Sequence, residues 1–163
     1  MLDKHGKHCY NIVVMIRKEV KVHIVGIVGG NKTQREIAEN VIYYMITKLM
    51  PRLRNIEIEV QLKKMNEDTA VGYCMMGDDK RQYEIEVSKD LSIKDFVMTL
   101  CHEMVHVKQY VRGEMDDWNG MGVARWKNTK VMPETNYYDL PWEKEAYMLQ
   151  KSLAKDCWKN DIF

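Results

Sequence analysis

The sequence predicts a small α+β domain: a twisted, mostly antiparallel sheet, one helix before it, and two later helices packed on it. Three observations carry that prediction. Short β-branched runs with period-two alternation recur between residues 11 and 87, broken by one stretch of helical period. From residue 93 the period becomes that of a long helix, and Pro141 opens another after a polar loop. A chain of 163 residues holds one such domain with its core and is too short for two comfortable ones.

The first nine residues, with His5 and His8, are polar and read as a loose end. Residues 11–16 and 20–28 are β-branched, and Val20, Val22 and Ile24 alternate with Lys21 and His23. Both runs are expected as additional N-terminal strands, joined in a hairpin around Arg17, Lys18 and Glu19. Gly29-Gly30 ends the second run. Residues 33–50 follow as a helix, with Ile37, Val41, Tyr44, Met45 and Leu49 at apolar positions and Pro51 as its stop. In residues 55–62, Ile56, Ile58, Val60 and Leu62 face one way while Glu57, Glu59 and Gln61 face the other. Residues 70–76 and 82–87 make a hairpin across Gly77-Asp78-Asp79-Lys80. The helix over 93–112 has a clear entry: Ser92 as N-cap, Asp95 for a capping box, and Leu91 and Phe96 as a hydrophobic staple. Gly113 ends it. A polar and aromatic loop over 114–140 carries Trp118, Trp126, Tyr137 and Tyr138, and Pro141 opens a final helix to about residue 153.

Composition removes several function classes. With 45% apolar and 30% charged residues the chain reads as soluble and globular rather than disordered. A net charge of +1, from 25 Lys+Arg against 24 Asp+Glu, gives no global field toward nucleic acid or an anionic membrane. Lys48, Arg52, Arg54, Lys63 and Lys64 lie close in sequence and read as a solvated rim. The apolar stretch 11–30 is interrupted by Arg17, Lys18, Glu19, Lys21 and His23, which excludes a membrane span there. Cys9, Cys74, Cys101 and Cys157 show no CxxC spacing, and without a signal peptide they are expected as reduced thiols of a cytoplasmic protein. Cys101 adjoins the motif described next, but a helical neighbour points about 100° away, so it is expected in the core. Thirteen methionines read as core filler.

His102-Glu103-Met104-Val105-His106 is an HExxH pentad inside the best-formed helical pattern. A shuffled chain of this composition would hold about 0.01 such pentads. Histidines four apart share a helix face, so both imidazoles reach one metal ion, and the intervening glutamate reaches a water beside it. That is the working part of a zinc hydrolase, with one Zn2+ per chain. A catalytic zinc takes three protein ligands and keeps one position open. Gln109 and Arg112 stand where HExxHxxGxxH would need glycine and histidine, and no histidine follows His106. The third ligand is therefore a carboxylate, from Glu114, Asp116, Asp117, Glu134, Asp139, Glu143 or Glu145, or less readily the thiol of Cys157. Glu143 falls in the first turn opened by Pro141, with the small Ala146 on its face to let that helix approach another. Glu145 points away from it, to solvent or a different neighbour. Glu143 is the first choice and Glu145 the reserve.

These residues resemble the zincin metallopeptidases that take glutamate as third ligand, where HExxH precedes Glu-x-x-Ala/Ser on a later helix. In those, the next residue is commonly Asp or Asn, and here it is Tyr147. The element order and His102 to Tyr110 resemble the small SprT-like zincin domains. Arg125-Trp126-Lys127 and Pro141-Trp142-Glu143-Lys144-Glu145-Ala146 are similar to metallopeptidases of that type encoded by phages, which would place the chain in the host cytoplasm. SprT-like proteins more often use a third histidine, which this chain lacks. The resemblance implies a single zincin-like metallopeptidase domain cleaving a protein or peptide through a metal-activated water. Glu103 would be the general base; Tyr137 or Tyr138, just before the third-ligand helix, is a candidate to stabilise the oxyanion, with an ordinary loop role preferred for each.

The strand over 82–87 is expected to offer an open edge to an extended peptide, or else to guard that edge with Glu84 and Glu86. Competing readings stand beside the peptidase. Gly26-Ile27-Val28-Gly29-Gly30-Asn31-Lys32-Thr33 follows a strand and opens a helix like GxxxxGKS/T, but Asn31 replaces the glycine before the lysine, so a capped turn is expected. A non-catalytic zinc or interaction module would have no use for Glu103. A nucleic-acid-associated protease would use Trp118, Arg125, Trp126 and Lys127 as a stacking and basic surface; packing of the loop over the site is the preferred role for them.

Overall fold

In the computed structural model the chain is described over residues 8–16, 19–66, 70–116 and 124–163, with side chains from residue 21 onward. The start of the expected loose end with His5, the Arg17-Lys18 turn, Asp117 and Trp118 lie outside those residues, as do the side chains of His8 and Cys9. Five strands, β1 (His8–Ile16), β2 (Glu19–Gly29), β3 (Asn55–Lys63), β4 (Gly72–Met76) and β5 (Gln82–Ser88), form a sheet in the order β1-β2-β3-β5-β4. Three helices, α1 (Lys32–Leu49), α2 (Ile93–Val111) and α3 (Pro141–Lys159), complete an α+β fold.

The sheet is mixed rather than mostly antiparallel. β1–β2 and β4–β5 pair antiparallel, whereas β2–β3 and β3–β5 are parallel. The cause is α1, which carries the chain from the end of β2 back to the start of β3, as a parallel crossover requires. β4 then takes the outside and β5 returns between it and β3. Among the described residues the open edge on this side is therefore β4, not the strand over 82–87. Glu84 and Glu86 guard no edge; they bond across the sheet to Gln61 and Lys63 of β3.

Alternation in β3 sends Ile56, Ile58, Val60 and Leu62 under the helices, where they meet Ile42, Met45, Ile85, Phe96, Leu100 and Met104 in one core. Gly29, at φ +79°, ends β2 where a Cβ would lie 2.2 Å from the Leu62 carbonyl oxygen, so only glycine fits. Asn31 then caps α1. Its side chain accepts the Gln34 N–H at 2.9 Å while the Gln34 side chain accepts the Asn31 N–H at 2.9 Å. This capping box occupies the stretch weighed above as a phosphate loop.

At α2, Ser92 Oγ accepts the Asp95 N–H at 3.2 Å and donates to the Asp95 carboxylate at 2.7 Å, so only half of the expected box forms. Gly113, at φ +63°, closes the helix through Gly113 N–H to Tyr110 O and Glu114 N–H to Gln109 O. The sheet, α1 and α3 all pack on α2, and it is buried from Leu100 through Gln109. The 114–140 region, read as loop, contains the short strands β6 (Met115–Asp116), β7 (Arg125–Trp126) and β8 (Thr129–Lys130), then a 3-10 turn, Tyr137–Asp139. α3 runs past residue 153 to Lys159, because Ala154 and Cys157 continue its buried face. Asp161, at φ 46°, closes it in place of the glycine that usually marks such an end. No described helix is long and apolar enough to cross a membrane.

Candidate metal centre

Helical spacing on α2 turns His102 and His106 to one side, and α3 lies against that side with the fully buried Ala146 in contact. Glu143, in the first turn of α3, comes between the two imidazoles. His102 Nε2 lies 3.2 Å from Glu143 Oε2, His106 Nε2 lies 3.3 Å from Glu143 Oε1, and the two Nε2 atoms are 3.1 Å apart. All three residues are buried, and their ligand atoms fall within 4.8 Å of one another. Among the described residues this is the one such group of three.

The outer nitrogens are already committed. His106 Nδ1 is 2.8 Å from Gln109 Oε1, and His102 Nδ1 is 2.8 Å from Gln150 Oε1. The Gln109 amide nitrogen donates to Trp142 O and to Glu145 Oε2, both at 3.0 Å, so its oxygen must face the ring. His106 therefore carries its proton on Nδ1, which leaves Nε2 as a lone pair. With both rings in that tautomer, two nitrogen lone pairs and a carboxylate converge in a buried space. Such a set is stable only around shared positive charge, and two imidazoles with one carboxylate suit a divalent ion such as zinc. Burial works to raise the Glu143 carboxyl, but the two histidine rings, when they present a proton to it in place of a metal, and the Tyr137 hydroxyl bring it down to about 2.

Glu103 is the next residue on α2 and is only 4% exposed. Burial pushes its carboxyl up to about 8, with the Glu143 charge adding to the rise and His102 opposing it. Its Oε1 lies 2.6 Å from where a Cβ on Gly72 would sit, so β4 passes it closely only because residue 72 has no side chain. His102 and Glu103 open onto a cleft of about 770 Å³ whose other walls include Gly72, Thr99, Tyr137 and Tyr147. Tyr137 donates its hydroxyl to Glu143. Tyr147 sets its ring edge-on to His102, with centroids 4.8 Å apart, and Tyr138 packs on Tyr137 at 5.4 Å.

The edge of β4 borders this cleft. Ser88 N–H donates to Val71 O at 2.9 Å and Gly77 N–H to Gln82 O at 2.8 Å. Antiparallel alternation then turns Tyr73 and Met75 inward to β5, and the peptide groups of Gly72 and Met76 outward.

The other ligand candidates lie elsewhere. Glu145 accepts from the buried Lys108 at 2.7 Å, and Lys108 also pairs with Glu114 at 2.7 Å. These contacts tie α3 and the start of the following segment to α2. Asp139 pairs with Lys144, Asp116 and Glu134 are exposed, and Cys157 is buried beside Cys101. Arg125 and Trp126 are absent from the cleft walls; Lys127 lies over the Trp126 ring at 4.7 Å and pairs with Glu145 at 3.7 Å. Sequence reasoning missed Gln109, Gln150, Lys108 and Gly72. Spacing was the available signal for two of them: Gln109 is one turn beyond His106, and Gln150 shares Glu143's helix face two turns on. No protein-family model, curated protein or solved structure matches the chain.

Proposed function

We propose that this chain is a zinc-dependent metalloendopeptidase of zincin type, akin to the SprT-like minimal domains, acting on extended protein or peptide substrates. The observation that carries the reading is the buried convergence of His102, His106 and Glu143 with Glu103 beside them at the head of a cleft. Zinc held by those three residues supplies a water acidic enough to ionise near neutral pH and a Lewis acid for the scissile carbonyl. Glu103 takes the proton of the attacking water and returns it to the leaving amine. Its buried position holds that carboxylate without a competing solvent shell. Tyr147 brings a hydroxyl donor to the same wall, where oxyanion charge develops, while the Tyr137 hydroxyl is given to Glu143. The outward peptide groups of β4 suit main-chain pairing with an extended substrate, which gives affinity with little dependence on sequence. Gln150 takes over from the Asp or Asn that Tyr147 replaces, since it reaches the outer nitrogen of His102.

The test is Glu103→Gln. Cleavage of an unfolded protein is expected to vanish while bound zinc, measured by mass spectrometry, stays near one per chain. Undiminished cleavage by that variant overturns the proposal.

A further inference from the structure

We infer that the outer edge of β4 acts as a ruler: the preferred substrate is an extended peptide with an acidic residue four positions N-terminal to the cleavage point. The inference rests on the peptidase reading and assigns a subsite to it. The edge has a cavity at each end. Around Gly72 lies the cleft of Glu103, whose charged lining besides His102 is Asp95 and Glu103, with no lysine or arginine. Around Met76 lies a second cavity of about 640 Å³, lined by Lys80, Arg81 and Arg112 against the single carboxylate of Asp116. A third, of about 560 Å³, shares Arg81 and Arg112 and adds Arg52, with no carboxylate among its walls. The edge thus runs from an acidic end at the reacting centre to a basic end beyond it.

The cations at that end are available. Arg112 is held in place, its Nη2 donating to Leu49 O at 2.8 Å and its Nη1 3.9 Å from Glu114. The Lys80 and Arg81 side chains have no acceptor among the described residues. Asp79 in the same turn accepts the Arg81 backbone N–H at 2.8 Å. Asp78 and Asp79, both exposed in the same turn, are the nearest carboxylates in sequence.

The geometry converts this polarity into a spacing. Gly72 and Met76 both turn their peptide groups outward and lie four residues apart, about 13 Å along a strand. An added strand paired with them has its side chains opposite those positions on the same face of the sheet. That is the helix-covered face, on which Met76 lines the basic cavity together with Tyr110. Antiparallel addition is the more stable pairing per residue, and it places the residue opposite Met76 upstream of the one beside Glu103. An aspartate or glutamate there meets Lys80, Arg81 and Arg112.

The test uses otherwise identical fluorogenic peptides with Glu, Ala or Lys at that upstream position, cleaved by the full chain loaded with zinc. Binding of the same peptides to the Glu103→Gln protein, read by fluorescence anisotropy, separates docking from chemistry. The Glu peptide is expected to bind and be cleaved better than the Ala peptide by roughly two- to fivefold per cation engaged, with the advantage shrinking at high salt. The double variant Lys80→Ala/Arg81→Ala is expected to bind and cleave the Glu and Ala peptides alike, and Lys80→Glu/Arg81→Glu to favour the Lys peptide. Cleavage with no acidic preference overturns the ruler and leaves the peptidase standing. So does a preference that survives the double variant or appears on the C-terminal side. No cleavage of any peptide, with selective binding of the Glu peptide intact, overturns the peptidase and leaves the acidic docking edge. Displacement of the Glu peptide by a single-stranded oligonucleotide at lower concentration than by free Glu peptide assigns the basic end to nucleic acid and overturns the ruler.

Discussion

Replacing Gly72 by alanine tests how closely Glu103 must be held. The new Cβ would lie 2.6 Å from Glu103 Oε1 and 2.6 Å from Thr99 Cγ2, where ordinary contact begins at 3.4 Å. The strand or the two side chains must therefore give way by about 0.8 Å. Backbone conformation adds nothing to the cost, because Gly72 is not among the residues with positive φ. Crowding of this kind costs about 1–3 kcal/mol of stability. A displacement approaching 1 Å at a reacting group costs on the order of 100-fold in turnover. The atoms nearest the new methyl belong to Glu103 and Thr99, not to His102, His106 or Glu143, so zinc content is expected to stay near one per chain. Turnover on an unfolded protein, zinc by mass spectrometry and Tm by calorimetry read the three effects separately. Adding Thr99→Ser removes one of the two clashes, so the double variant is expected to regain stability without regaining turnover. Wild-type turnover in a folded Gly72→Ala protein would refute the argument.

Glu143→Ala is expected to strip bound zinc, whereas Glu145→Ala keeps it and instead loses about 1.5–3 kcal/mol in denaturant unfolding, because Lys108 surrenders a charged hydrogen bond. The reverse order in metal analysis would reassign the ligand. Gln150→Leu leaves the outer nitrogen of His102 without its acceptor, and zinc affinity in a competitive chelator titration is expected to fall 10- to 100-fold, on the order seen when such partners are removed; unchanged affinity refutes it. For the metal-free chain, the Glu103 carboxyl is raised from 4.5 to about 8 on folding. Between those values the native state holds more protons than the unfolded chain, so this group's contribution to stability falls as pH rises through that window. The pH-dependence of unfolding in Glu103→Gln, subtracted from that of the wild type, is expected to show that decline, and parallel curves would refute it.

Local periodicity explains what could be read directly from the residues. His102, His106 and Glu143 each sit on a helix whose face, cap or opening proline is written within a few residues of them. The alternation of β3 likewise revealed which side is buried. Pairing partners were less legible, because β3 lies beside β5 only through a choice made across the intervening β4. That choice added a second parallel pair and moved the open edge from 82–87 to β4. Gln109 and Gln150 were overlooked because an amide on a helix looks like surface until the opposite helix is placed. Glu145 shows the converse. Its direction away from the ligand face was legible, but the buried lysine waiting there was not.

The placement of the third donor has a consequence in time. Glu143 lies 41 residues after His102. At ordinary rates of protein synthesis that separation is roughly 2–8 s, during which the emerging chain has the two imidazoles and no carboxylate to join them. Even afterwards the donors meet only when α3 has packed along α2 and Lys108 has found Glu145. On the proposed peptidase reading, the domain acquires its activity only once α3 has packed. On that reading, nascent neighbours and the chain's own unfolded segments are spared until a folded domain can cut.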